Sequence, residues 1–236
     1  MTNHITDISL RQAAIVAGFG LLIMSILGPF SEFLVRQSLI VPGDAATTAN
    51  NIMANELLLR LAICSYLIVA IFDVVVAWAL YVLLKPVNKS LSLLAAWFRV
   101  VYATILAVIL LNFVIALRLL SDADYSTVFA TDQLYAQAML FLNAFSDGWN
   151  IGLVIFGLHL FVLGYLVFRS GYIPKLLGIL LIIASLGYLI DSFGKLLLPN
   201  YNANIAIFTF IGEALFMFWL LWRGAKGFDQ EVKKKN

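Results

Sequence analysis

The sequence predicts an all-α membrane protein, a polytopic bundle of six transmembrane helices with both termini on the cytoplasmic side. Three observations carry that reading. Over 236 residues the chain is 63% hydrophobic and 12% charged, with a mean hydropathy of +0.98. Soluble domains run at roughly 45–50% apolar and about 25% charged. So apolar a chain cannot hide its surface from water, and lipid is its solvent. Second, six apolar stretches of membrane-spanning length follow one another closely. They leave no room for a soluble domain, so 1–236 is read as one six-helix domain. Third, most bases fall at one end of those stretches, and the other end carries acids with few bases.

The first helix is expected over Arg11 to Phe33. Its apolar run, Ala13 to Phe30, is about 18 residues long. That exceeds the roughly 7–15 residues of a signal-peptide core, and no clean small-residue cleavage site follows. It is read as a retained span. Pro42-Gly43 then marks a turn, and Asp44 is a good N-cap for a short helix from Ala45 to Glu56. The remaining spans are expected over Leu57 to Leu84, Leu93 to Leu117, Met139 to Phe168, Leu176 to Leu198 and Ile205 to Trp222. None shows the alternation of a barrel strand. The connection Ser121 to Gln137 is acidic and is read as a solvated connector. Cys64 lies in an apolar run and is read as a small packing residue.

Charge sets the expected orientation. Arg11, Lys85, Lys89, Arg169, Lys175, Arg223, Lys226 and Lys233 to Lys235 fall on one side. Asp44, Glu56, Asp122, Asp124 and Asp132 fall on the other. Lys and Arg favour the cytoplasm, so both ends are inside. The Lys233 to Lys235 tail suits anionic headgroups, each base worth about 1 kcal/mol near the surface.

Ionisable groups at the bilayer centre cost at least about 2.5–3.5 kcal/mol, so each needs a partner or a purpose. They are Asp73, Arg99, Asp147, His159, Asp191, Lys195 and Glu213, with Glu32 near an end of the first helix. Asp73 and Arg99, on consecutive helices, are expected to form a buried structural ion pair. Asp191–Lys195, Glu32–Arg36 and Glu56–Arg60 have the favourable acid-first spacing of four. Asp147 and Glu213 lack an obvious base, and an unpaired carboxyl in low dielectric tends to hold its proton. Asn143, Asp147 and Asn150 recur at spacings of four and three, which makes one face of the fourth helix polar. Gly148 and Gly152 permit close helix approach. His159, twelve residues past Asp147, points about 120° away from it, so an undistorted helix makes no dyad of the two.

His4, the other histidine, lies in the N-terminal tail, so no di-histidine metal or haem site is available, and no P-loop or Gly-x-Ser-x-Gly occurs. No metal, cofactor or nucleic acid is implied. The expected partners are membrane lipids and a small-molecule or lipid ligand.

Five segments carry a family resemblance. They are Leu39-Ile40-Val41-Pro42-Gly43-Asp44, Tyr81 through Pro86 to Lys89, Gly157-Leu158-His159-Leu160, Tyr165 through Arg169 to Pro174, and Gly187 through Asp191 to Phe193. With them the chain resembles, over nearly its whole length, the bacterial membrane proteins grouped as domain of unknown function 4386. The resemblance implies a bacterial inner membrane and assigns no activity or catalytic residue.

The leading expectation is non-enzymatic: binding or moving a small molecule, lipid or proton through a polar cavity. Asn143, Asp147, Asn150, His159, Asp191 and Glu213 would line it, with Asp73 and Arg99 as a brace. The alternatives are an intramembrane enzyme using His159 with a carboxylate as general base, and a structural or sensory protein without a pocket. The enzyme needs a His159 ring nitrogen within about 3.5 Å of an acid, beside a cavity.

Overall fold

A computed structural model of the chain describes residues 8–227, so His4 and the Lys233 to Lys235 tail lie outside the described residues. Among the described residues every regular element is helical. Six helices are long and apolar enough to cross a membrane: α1 (Leu10–Leu39), α2 (Glu56–Leu84), α3 (Lys89–Ser121), α4 (Thr131–Ser170), α5 (Lys175–Leu197) and α6 (Ala206–Lys226). A helix satisfies its backbone hydrogen bonds internally, which hydrocarbon demands. Of the five prolines, Pro42, Pro86, Pro174 and Pro199 lie between the long helices, where a missing N–H does least harm.

Pro29 is the exception, and α1 departs there from the expected end at Phe33. Phe30–Arg36 winds as a π-helix and the helix continues to Leu39. A proline ring crowds the preceding turn and donates no hydrogen bond, and a widened turn relieves both. Glu32 and Arg36 pair across this turn, with Nε–Oε2 at 2.7 Å. The α4 helix also starts earlier than expected, at Thr131, because the second half of the acidic connection is helical and buries Leu134 and Ala138. Between α1 and α2, Ala45–Ala54 forms a short helix. Asp44 caps it by accepting from the Thr47 N–H at 2.9 Å. Hydrogen bonds from Thr47 hold the exposed Asp44 carboxyl below the usual carboxylate range.

The chain divides into two compact units. The first takes residues up to Leu22, Phe72–Val101 and the chain from Leu153 on; the second takes Ile23–Ile71 and Tyr102–Gly152. In the first, small residues bring backbones together, the usual means of helix association in lipid. A Cβ added to Gly178 would lie 2.6 Å from the Phe168 amide nitrogen and 2.7 Å from the Gly164 carbonyl oxygen. On α6, a Cβ at Gly212 would lie 2.6 Å from the Leu180 carbonyl oxygen of α5. Arg11 at the start of α1 donates to the Gly224 carbonyl at 3.0 Å, satisfying an orphan acceptor near the end of α6.

The second unit has an aromatic core. Phe113 and Phe145 stack at 4.0 Å, and Tyr66 lies 5.7 Å from Phe145 and 5.6 Å from Trp149. Gly148 and Gly152 belong to this unit and face α3, where a Cβ at Gly148 would meet the Ile109 side chain at 2.5 Å.

Large apolar side chains remain on the outside of the helices. Leu57 is 69% exposed, Trp97 64% and Phe208 77%. Such exposure is tolerable where the surroundings are lipid. Cys64 is among the exposed residues and not a packing residue of the core.

Candidate functional site

The charged centre of the first unit is built on Arg99 of α3. Its side chain is 2% exposed and Asp73 of α2 is fully buried. Arg99 Nη2 and Asp73 Oδ1 are 2.7 Å apart. Arg99 Nη1 lies 3.2 Å from His159 Nε2, and His159 Nδ1 lies 2.8 Å from the Ala95 carbonyl oxygen. A carbonyl only accepts and a guanidinium only donates. His159 therefore carries its proton on Nδ1, donates to Ala95 and accepts from Arg99 on Nε2. Ala95 and Arg99 are one helical turn apart on α3, so one imidazole clamps one turn of that helix. The guanidinium also sits 5.5 Å from the centre of the Phe156 ring, a cation–π distance.

Glu213 approaches from α6. It accepts a hydrogen bond from Tyr188 of α5, while its Oε1 is buried without a hydrogen-bond partner. Tyr188 packs edge-on against Phe156 at 5.4 Å, the same ring that underlies Arg99. Arg99 and Glu213 share a chamber of about 10 Å³, lined otherwise by leucines and Phe216. A single water needs about that much. Beside His159, between α2, α3 and α4, the free volume is about 0 Å³.

The cavity residues expected from the sequence are divided between the two units. Asn143, Asp147 and Asn150 belong to the second unit, whereas His159, Asp191 and Glu213 belong to the first. Asn143 and Asp147 are exposed and Asn150 is half-buried. Helix length explains this. The 40 residues of α4 rise about 60 Å, twice the hydrocarbon thickness of about 30 Å. Counting about 20 residues back from Phe168 reaches Trp149, so an apolar layer that begins at Phe168 would leave the polar face at its edge.

Asp191 has a different task from the one its spacing suggested. Its Oδ1 accepts from the Tyr201 hydroxyl and its Oδ2 from the Ala206 N–H, each at 2.7 Å. It thus caps the first turn of α6, whose amides have no partner inside the helix. Lys195 lies on the exposed side of α5. The hydrogen bond to Asp191 raises the Tyr201 phenol above its ordinary range.

A further polar cluster lies in the second unit, on the π-helical turn. Glu32 Oε2 accepts from Tyr66 at 2.9 Å, and Arg36 Nη1 donates to Ser146 at 3.2 Å. Tyr66 sits inside an apolar run and Ser146 beside Asp147, and no local spacing links either to the first helix; Pro29 followed by Glu32 and Arg36 was the available signal. Among the described residues no three His, Cys, Asp or Glu side chains converge as metal ligands would.

The family model described as Domain of unknown function (DUF4386) matches residues 16–224. The chain belongs to this family. Asp73, Arg99, His159, Asp191 and Glu213 all lie within the DUF4386 range. A protein of the archaeon Archaeoglobus fulgidus, described as an uncharacterized protein, is 41% identical over 181 residues, covering 75% of this chain and 94% of its own length. With an archaeal relative at that identity, DUF4386 membership does not imply a bacterial source. No solved structure matches the chain. Six apolar helices of spanning length make this DUF4386 protein a multi-pass membrane protein.

Proposed function

We propose that this protein binds a proton at Glu213 and exchanges it through the chamber that Glu213 shares with Arg99. The observation that carries the reading is the buried Oε1 of Glu213, without a partner, on a chamber of about 10 Å³ whose other polar lining residue is Arg99. A chamber of that size admits one water and excludes a small organic molecule or a lipid. Of the ligand classes the sequence left open, a proton is the one that fits. Asp73, Arg99 and His159 brace the site by pinning α2, α3 and α4 to each other. His159 has its two nitrogens turned to Ala95 and Arg99, with closed packing beside it, which gives the enzymatic alternative no support.

The protein is read as lying in the plasma membrane, the inner membrane in a bacterium, with both termini cytoplasmic. Arg11, Lys85, Lys89, Arg169, Lys175, Arg223 and Lys226 support that orientation. A fluorescent protein fused to the C-terminus should fluoresce in cells, and alkaline phosphatase at the same place should be inactive. The reverse pattern would invert the topology.

The proton reading is tested in two steps on the purified chain. Infrared difference spectra across a pH change should contain a carboxyl C=O band that Glu213→Gln removes and Asp147→Asn keeps. Liposomes carrying the wild type and an internal pH dye should take up protons faster than liposomes carrying Glu213→Gln. Wild-type liposomes no leakier than protein-free ones, with no Glu213 band, would reject the proposal.

A further inference from the structure

A larger opening than the Glu213 chamber lies elsewhere in the first unit, where the α2–α3 connection meets the end of α4. It is a cavity of about 300 Å³ lined by Pro86, Asn88, Tyr165, Arg169, Ser170 and Tyr172, among others. That is at the lower end of the range for small-ligand sites. Its chemistry is one-sided. The segments 85–89 and 165–175 contain Lys85, Lys89, Arg169 and Lys175 and not one Asp or Glu. Burial pushes the Tyr172 phenol above its ordinary range, so it adds no negative charge to the rim.

The walls are held in place without a ligand. The Tyr172 hydroxyl donates to the Leu83 carbonyl at 2.5 Å, tying the α4–α5 turn to the last turn of α2. Gly171, at φ +72°, makes the bend that brings Tyr172 there, in a region where other residues are strained. Ser170 Oγ accepts from the Ile173 N–H at 3.2 Å, and Asn88 Oδ1 accepts from the Leu91 N–H at 2.9 Å. Arg169 and Tyr165 stay on the exposed side, and Tyr165 is 44% exposed. A preformed pocket spends little on ordering when it binds. An arginine fork matches a phosphate through paired hydrogen bonds. A tyrosine at the level of the headgroups is at home in a membrane interface.

We infer that this pocket binds a phosphate-bearing anion, in the first place the headgroup of an anionic phospholipid. Arg169 takes the phosphate, Lys85 and Lys89 supply the surrounding field, and Tyr165 lies along the glycerol end of the lipid. The site is separate from Glu213, and either assignment stands or falls without the other.

The full chain is tested by native mass spectrometry against phosphatidylglycerol, phosphatidylcholine and inorganic phosphate. Phosphatidylglycerol should be retained in preference to phosphatidylcholine. Arg169→Gln should weaken its binding about fivefold, the effect of one base near a charged surface. Arg169→Lys should fall between the two, and Arg118→Gln, at an exposed arginine of the second unit, should bind as the wild type does. Displacement of the lipid by inorganic phosphate would keep the pocket and its chemistry and make the soluble ion its occupant. Equal retention of the two lipids, or an Arg169→Gln chain of unchanged melting temperature that binds phosphatidylglycerol as before, would overturn the inference.

Discussion

Replacing Arg99 by leucine removes the centre of the buried network and leaves two groups stranded. Asp73 loses a partner 2.7 Å away, and His159 Nε2 loses its donor at 3.2 Å. At about 4 Å between charge centres and an effective dielectric of about 20, the attraction is about 4 kcal/mol. Breaking such a pair from one side costs about 3–5 kcal/mol, because the remaining charge is buried alone. Asp73→Leu should therefore cost about as much as Arg99→Leu. The double replacement leaves no charge to strand. Its expected cost is about 1–3 kcal/mol, that of the unsatisfied lone pair on His159 Nε2. The coupling between the two positions should then be about 3 kcal/mol or more. Unfolding in mixed micelles, followed by tryptophan fluorescence for the wild type, both single variants and the double variant, measures that coupling. Additive losses, with coupling below about 0.5 kcal/mol, would refute the account of the ion pair as the brace of this unit. A charge swap is a harsher probe here. Asp at position 99 would face the lone pair of His159 Nε2, and relieving that clash by moving the proton would sacrifice the bond to Ala95. The swapped protein should recover only part of the loss.

Three other expectations follow from the same geometry. Gly178→Ala places a Cβ against backbone atoms of α4 at 2.6 and 2.7 Å, so it should destabilise by at least about 1–3 kcal/mol. Gly28→Ala meets nothing within 4 Å apart from its chain neighbours, of which Pro29 opposes a preceding Cβ, and should cost less than Gly178→Ala; equal melting temperatures for the two variants would contradict the close approach of α4 and α5. Asp191→Ala should strip the Ala206 amide of its acceptor at a cost of about 1–3 kcal/mol and speed hydrogen exchange at the start of α6, whereas Lys195→Ala should do neither. Cys64, exposed on α2, should react with a lipid-soluble maleimide and resist a membrane-impermeant one in intact vesicles; rapid labelling by the impermeant reagent would place that face of α2 in water.

What is legible in the sequence alone follows from a local rule. Hydrocarbon forces every spanning segment to close its own hydrogen bonds, so length and apolarity alone revealed six helices. The acid–base spacing of four at Glu32–Arg36 and Glu56–Arg60 needed only helical geometry, and both pairs form. Asp44 as a cap was likewise local. Spacing failed where the competing partner came from elsewhere in the chain. Asp191 and Lys195 share the same interval, yet Tyr201 and the Ala206 amide take the carboxylate.

The spacing of Asn143, Asp147 and Asn150 tells that they share one face of α4 but not what covers that face, and Asn143 and Asp147 are exposed. Composition and periodicity thus determined the medium, the fold class and the helices, since each depends on residues near one another in the chain. That His159 serves Arg99, that the Asp191 carboxylate turns to the Ala206 amide, and that Glu213 keeps one oxygen without a partner were decided only when α3, α4, α5 and α6 packed together. Those distances are set by side chains far apart in sequence, and no local pattern encodes them.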